Sequence, residues 1–206
     1  MWAPDEIKFY SEPFAFLNKK KAYNYTVMLY TKNGDEGKTK VFGCDQKLSK
    51  SSDIIEALGC LDEINSYLGI VKSKVKNYKL LNEKMQDILL RIQNNLFIVQ
   101  AEVAGAKKEI KVEEIQYLEK IIDNIEKEVP PIKSFLISGA NEISANFDFA
   151  RTLARRAERR VVAVSDAGIE KIDAKTLLYL NRLSSFLFAL ARHSAMESGK
   201  EESPKY

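Results

Sequence analysis

The sequence is poor in the residues from which many enzyme sites are built. Its 206 residues include one histidine, His193, and two cysteines, Cys44 and Cys60. A structural zinc site takes about four Cys or His ligands, so such a site is excluded. Two cysteines do not make a disulfide scaffold, and we expect a reduced chain of the cytoplasmic type. Since a histidine-based triad has nothing in its favour, the chemistry is expected to come from a bound nucleotide or cofactor.

Long apolar runs and an excess of one charge are also missing. No stretch approaches the ~18 consecutive apolar residues of a membrane span. The 32 Lys and Arg residues are balanced by 29 Asp and Glu residues, for a net charge of +3. This balance argues against a polybasic protein and against a nucleic acid as partner. Apolar residues make up 45% of the chain, which suffices for the core of a single domain.

Proline is scarce, and none lies between Pro13 and Pro130, so long helices are permitted. Apolar residues recur three and four positions apart, as in the stripe that contains Leu61, Ile64 and Leu68. We predict an all-α five-helix bundle. The predicted helices span residues 51–74, 80–104, 112–128, 141–165 and 174–197, with Ser51 or Ser52 as the first cap and Leu81 on the apolar face of the second.

The two ends of the chain differ from the bundle. Residues 1–28 mix aromatic and acidic side chains ahead of a lysine run, the reverse of a secretory signal, and we interpret them as an N-terminal extension. Residues 25–32 have the composition of a strand. The expected domain covers 29–197, and the polar tail at 198–206 is expected to be frayed.

A glycine-rich segment at residues 31–39 is the first candidate site. Glycines let backbone N–H groups approach phosphate, while lysines add charge and threonines add hydroxyl donors. A P-loop is excluded because Lys32 stands where that motif requires glycine. The alternative is a solvated hairpin turn, since Asn-Gly is a frequent turn dipeptide. The candidate phosphate-binding residues are Thr31, Lys32, Asn33, Gly34, Lys38 and Thr39.

An arginine-rich segment at residues 150–161 is the second candidate site. At 100° per residue, Arg151, Arg155 and Glu158 share one helix face, and small apolar residues form a stripe opposite them. This pattern is typical of a solvated charged face. It also suits an anion site, because arginine forks match triphosphate oxygens. Nucleic-acid binding is the third interpretation, although no aromatic residues are interleaved for base stacking.

Three blocks in order resemble the PduO-type ATP:cob(I)alamin adenosyltransferases. The first is the glycine segment at 30–39, and the second is Gly59-Cys60-Leu61-Asp62-Glu63 with its flanks at 56–69. The third is residues 150–159, which end in Arg155-Arg156-Ala157-Glu158-Arg159, followed by residues 180–184 with Asn181. The resemblance covers about residues 29 to 193.

The resemblance implies a trimer of five-helix bundles with an active site at each subunit interface. Such enzymes transfer the 5′-deoxyadenosyl group of ATP to the cobalt(I) of a reduced corrinoid and release triphosphate, with Mg²⁺. It implies catalytic roles for Asp62, Arg151, Phe135 and Arg155. Asp62 and Arg151 would bridge subunits, and Phe135 would face the lower side of the corrin. The implied ATP-binding residues are Thr31, Lys32, Asn33, Gly34, Lys38, Thr39, Lys50, Arg155, Arg156, Glu158 and Asn181. A flavoprotein reductase and a cobalamin-dependent mutase are the implied partners.

Some residues depart from the family pattern. Glu36 stands where a lysine is common, and Ser138-Gly139-Ala140 replaces a proline–glycine–glycine turn. The departures at Glu36, Ile54 and Cys60 motivate an alternative in which the bundle binds corrinoid or ATP for delivery or sensing without catalysis.

The residues taken singly also have structural interpretations. Taken alone, Phe135 is interpreted as a core residue, and Cys60 is interpreted as a small buried filler. His193 is interpreted as structural or exposed. Asn181 reads as a buried amide that needs a partner.

Overall fold

Five helices make up most of the part of the chain that the structure describes, as predicted. The structure, a computed structural model, describes residues 30, 32, 34–41, 46–76, 78–199 and 202–205. The predicted extension at 1–28, Thr31, Asn33 and Cys44 lie outside these residues. The helices are α1 (Asp53–Lys74), α2 (Met85–Val103), α3 (Val112–Glu128), α4 (Glu142–Asp166) and α5 (Ala174–Ser198). Two antiparallel hairpins, β1 (Lys38–Lys40) with β2 (Lys47–Ser49) and β3 (Lys79–Leu80) with β4 (Glu83–Lys84), precede α1 and α2.

The core lies where the apolar stripes of the helices meet. Helix α4 packs against both α1 and α5, while α2 packs on α1 and α3 packs on α5. The largest buried side chains come from α4 and α5 and include Phe147, Tyr179 and Phe186. Among the described residues, no helix is long and apolar enough to cross a membrane.

Helix ends follow local side-chain chemistry. Helix α4 begins with a capping box, in which Asn141 Oδ1 accepts from the Ser144 N–H at 2.8 Å and Ser144 Oγ accepts from the Asn141 N–H. Helix α3 ends at Glu128, just before Pro130, as predicted. Ser52 occupies the N-cap of α1, but the predicted capping bond is absent because its hydroxyl donates to the Ser49 carbonyl instead.

The predicted helix at 80–104 is wrong over its first five residues. Leu81 and Asn82 have φ of +50° and +66°, so they form a left-handed two-residue turn between β3 and β4. Asn tolerates this conformation, and such turns match the twist of a hairpin. Leu81 is consequently exposed on the turn, and it is not part of the apolar face predicted for α2.

The segment between α3 and α4 is held by the end of the chain. The Ile137 N–H donates to the Glu202 carbonyl at 2.8 Å, and the hydroxyls of Ser134 and Ser203 are 2.8 Å apart. Arg192 Nη2 of α5 donates to the Pro130 carbonyl at 2.8 Å. The prediction of a frayed tail is therefore wrong for residues 202–205.

His193 has a structural role. Its side chain is buried, with Nδ1 against the Tyr78 hydroxyl and Nε2 3.2 Å from Glu128 Oε2. The ring thereby joins α5 to the end of α3 and to the segment that precedes β3.

Candidate active site

The glycine segment forms a tight turn in front of β1. The Gly37 N–H donates to the Gly34 carbonyl at 3.2 Å, and Gly37 has φ of +72°, a conformation that favours glycine. The strand that follows the turn, β1, pairs with β2 in an antiparallel hairpin. The alternative of a hairpin turn at Asn33-Gly34 stays a prediction, because Asn33 and most of the preceding segment lie outside the described residues.

Lys50 reaches the glycine turn. The hairpin brings the residue after β2 back beside the turn, where the Lys50 N–H donates to the Gly37 carbonyl at 2.9 Å. A Cβ on Gly34 would lie 2.9 Å from Lys50 Nζ, so any larger residue would displace the ammonium group. Lys38 begins β1 opposite Ser49 at the same end of the hairpin. The predicted phosphate-binding residues Lys32, Gly34, Lys38, Thr39 and Lys50 thus belong to one turn and its hairpin.

The arginine segment lies on α4, as predicted. The stripe opposite the arginines is buried and includes Ala150, Leu153, Ala157, Val161 and Val164. Arg155 is exposed, and Arg156 is half-buried and paired with Glu63 of α1. Arg156 Nε is buried without a hydrogen-bond partner.

Asn181 joins α5 to the arginine face. Its Nδ2 donates to Glu158 Oε1 at 3.0 Å, and its Oδ1 accepts from Arg182 Nη1 at 3.0 Å. Asn181 is exposed, so the prediction of a buried amide is wrong. Glu158 and Asn181 together offer a carboxylate and an amide at the surface, a pair suited to hydroxyl and amine groups of a nucleoside.

Within the described part of one chain, the glycine turn is not linked to the arginine face of α4. Among the described residues, no hydrogen bond or ion pair joins the glycine turn to Arg155, Arg156, Glu158 or Asn181. No cluster of three or more Asp, Glu, His or Cys side chains in that part of the chain is arranged to hold a metal ion.

A cavity of about 350 Å³ lies beside Phe135. Phe135 is 78% exposed, so the interpretation as a core residue is wrong. The cavity lies between the segment that joins α3 to α4, the N-terminal part of α4 and the C-terminal part of α5. Its apolar wall includes Ile132, Phe135, Ile137 and Phe188, and its polar wall includes Ser138, Asp148 and Arg151.

Asp62 and Arg151 are not paired with each other in the structure. Asp62 is exposed on α1. Arg151 Nε lies 3.6 Å from Asp148 Oδ1, one helical turn away on α4, and Arg151 faces the Phe188 ring at 5.8 Å. The bridge between subunits predicted for Asp62 and Arg151 thus stays a prediction.

Asp148 and Glu63 contact predicted site residues but were not themselves predicted from the sequence. Asp148 precedes Arg151 by three residues, so the helical period already placed the two on one face. Glu63 has no such signal, because its partner Arg156 is 93 residues away. Cys60 is buried, and burial raises the pKa of its thiol, which confirms the interpretation as a filler.

Comparison with known proteins identifies the family. The family described as cobalamin adenosyltransferase matches residues 29–194. The chain belongs to this family. The corrinoid adenosyltransferase PduO of Citrobacter freundii is 40% identical over 173 residues, which are 80% of this chain and 49% of that protein. The chain thus spans about half the length of that relative. The corrinoid adenosyltransferase of Bacillus subtilis is 37% identical, over 83% of this chain and 88% of its own.

Solved structures of cobalamin adenosyltransferases share the fold. A phenylalanine-to-alanine variant of the PduO-type enzyme from Lactobacillus reuteri, complexed with cobalamin and ATP, is 31% identical with a TM-score of 0.74. The similarity covers 87% of this chain and 99% of that one. An arginine-to-lysine variant of the same enzyme, complexed with ATP, has a TM-score of 0.73 at 31% identity, over 86% of this chain and 99% of the other.

Proposed function

We propose that the chain transfers the 5′-deoxyadenosyl group of ATP to cob(I)alamin and releases triphosphate. The observation that carries this proposal is the turn formed by Gly34, Gly37 and Lys50, whose backbone and ammonium groups suit a triphosphate. The family and its cobalamin- and ATP-bound relatives support the choice of substrates.

The proposed reaction needs no general base from the protein. The cobalt(I) electron pair attacks C5′ of ATP, a Co–C5′ bond forms, the C5′–O bond breaks, and the bond's electrons leave with triphosphate. Cobalt is thereby oxidised from I to III. The single histidine, His193, joins three segments of the fold. The proposed reaction does not require it as a base.

The residues of this chain act on the leaving group and on orientation. Lys32, Lys38 and Lys50 supply positive charge where charge develops on the departing triphosphate. Mg²⁺ is bound in proteins through one or two protein oxygens together with phosphate oxygens, and Asp35 and Thr39 offer such oxygens on the same segment. Glu158 and Asn181 would orient the nucleoside.

A homotrimer would complete this site. The glycine turn and the arginine face of α4 are not linked in one chain, and a neighbouring subunit would bring a second copy of either group. In this arrangement Asp62 of one subunit would pair with Arg151 of the next. Cytoplasmic location, electron supply by a flavoprotein reductase and delivery to a cobalamin-dependent mutase complete the proposal.

An anaerobic assay tests the reaction. The protein is mixed with chemically reduced cob(I)alamin, ATP and Mg²⁺, and the loss of the cobalt(I) spectrum is followed. We expect adenosylcobalamin, identified by its light-sensitive spectrum. Binding of ATP and corrinoid without this product would contradict the proposal and favour the delivery or sensing module.

A further inference from the structure

A partly buried carboxylate lies behind the cavity beside Phe135. The Asp148 side chain is 15% exposed, and it lines the cavity together with Ser138, Gly139 and Arg151. The proposed reaction gives this carboxylate no role. Since partly buried acids in a protein need partners, the groups that surround it show what it holds in place.

Asp148 contacts two parts of the cavity wall at once. Ser138 and Gly139 lie on the same cavity wall, where the hydroxyl and the N–H act to lower the pKa of its carboxyl, and Arg151 Nε lies 3.6 Å from Asp148 Oδ1. Gly139 has φ of +102°, a conformation that favours glycine, so the backbone turns sharply beside Asp148. This turn follows Phe135 by three residues.

Holding this carboxylate ionised is costly. Burial raises the pKa of Asp148, although Arg151, Ser138 and Gly139 each act to lower it. The protonated form is thus favoured in the folded chain relative to the unfolded chain.

We infer that Asp148 is a positioning residue for the corrinoid: one carboxylate fixes the turn after Phe135 and the Arg151 guanidinium relative to each other. The inference rests on the proposed function, in which Phe135 faces the lower side of the corrin. The carboxylate itself need not touch the substrate. The carboxylate sets the distance between α4 and the segment that contains Phe135. This distance determines the width of the cavity that the corrin covers.

The test compares Asp148→Asn with Asp123→Asn, a matched change at an exposed position on α3. The Asn side chain replaces one acceptor oxygen by an NH₂ group that faces donors, so the turn and Arg151 lose their common partner. We expect KM for corrinoid to rise about tenfold, since small displacements of positioning groups have effects of this size or larger. We expect KM for ATP to stay within about twofold, because the nucleotide groups lie elsewhere.

A spectroscopic readout separates positioning from mere support of the fold. With ATP bound, we expect the electron paramagnetic resonance spectrum of bound cob(II)alamin to change in Asp148→Asn and to match the wild type in Asp123→Asn. We expect the melting temperature to change by no more than a few degrees, because the carboxylate is destabilised by burial. Equal losses for both substrates together with a lower melting temperature would overturn the inference.

A second variant keeps the inference testable if Asp148→Asn does not fold. Ser138→Ala removes only the hydroxyl donor, and we expect the same changes at about half the size. A corrinoid KM and a cob(II)alamin spectrum unchanged in both variants, beside an active wild type, would refute the role of Asp148 alone. A wild type that forms no adenosylcobalamin would refute the proposed function instead.

Discussion

Two side chains assigned to the reaction, Arg155 and Phe135, are exposed in the single chain. Among the described residues, the Arg155 side chain has neither an ion pair nor a hydrogen bond, and Phe135 is 78% exposed. Neither residue therefore contributes much to folding. Their removal should affect the reaction far more than the stability, which makes both suitable for mutation.

Arg155→Ala should lower kcat/KM for ATP by about 100-fold, because a charge-assisted contact to the leaving group is lost. Arg160→Ala is the matched control, since Arg160 is on the same helix but is paired with Glu56 of α1 at 3.6 Å. Steady-state kinetics with varied ATP measure both variants. Equal activity of Arg155→Ala and the wild type would contradict the placement of the nucleotide on this face.

Phe135→Ala should impair the use of cob(II)alamin under a reductant more than the use of pre-reduced cob(I)alamin. An apolar ring at the lower corrin face would keep a further ligand off cobalt, which makes cobalt(II) easier to reduce. The melting temperature should stay unchanged, because so little of the ring is buried. Equal losses with both corrinoids would show that the ring acts in binding alone.

At the scale of elements, helix α3 is tied to α2 by a bidentate ion pair. Arg91 Nε and Nη2 donate to the Glu114 carboxylate at 2.7 and 3.0 Å, and Asn95 Nδ2 donates to it at 2.8 Å. The hydrogen bonds from Arg91 hold the pKa of Glu114 below its usual range. Tyr117 packs its ring against the Arg91 guanidinium at 3.7 Å, which further orders this contact.

Glu114→Gln should lower the free energy of unfolding by about 1–2 kcal/mol at neutral pH, because Arg91 loses its charged partner. Since the folded-state pKa is depressed, the stabilisation is present above the ordinary value of about 4.3 and is lost as the pH falls through the folded-state value. Denaturant titrations from pH 7 to pH 3 measure this. Glu113→Gln, an exposed change on the same turn, is the control. A difference as large at pH 3 as at pH 7 would contradict this explanation.

The sequence predicted the helices better than the turns and the contacts between helices. The apolar period placed all five helices and the end of α3 before Pro130, because that period directly reports burial on one face. It failed at Leu81, whose backbone conformation is set by the two-residue turn and not by an apolar face. Phe135 and Asn181 were assigned to the interior because exposure depends on what packs above them, and no local pattern records that.

The candidate site was predictable in its parts but not in its connections. The glycine turn and the arginine face were apparent as motifs, and the resemblance to the family assigned their roles. The approach of Lys50 to Gly34 and the pairing of Arg156 with Glu63 depend on the tertiary fold. The pairing of Asp148 with Arg151, in contrast, could have been inferred from their spacing of three residues on one helix.

At the scale of the whole molecule, the proposed trimer predicts a mass about three times the 23.4 kDa of one chain. Asp62→Arg should lower both the trimer fraction and the activity, because it would place a positive charge opposite Arg151 of a neighbour. Adding Arg151→Asp should restore the pair in reversed order. Light scattering measures the mass. A monomer that is fully active, or a double variant with no more trimer than Asp62→Arg, would contradict the bridge.

The fate of the two halves of ATP distinguishes adenosyl transfer from hydrolysis of ATP. ATP labelled at C5′ and at the γ-phosphate is mixed anaerobically with the protein, Mg²⁺ and cob(I)alamin, and the products are separated. The account predicts that the carbon label enters adenosylcobalamin while the phosphorus label leaves as triphosphate, one for one. Release of phosphate or pyrophosphate with no label on cobalamin would contradict it.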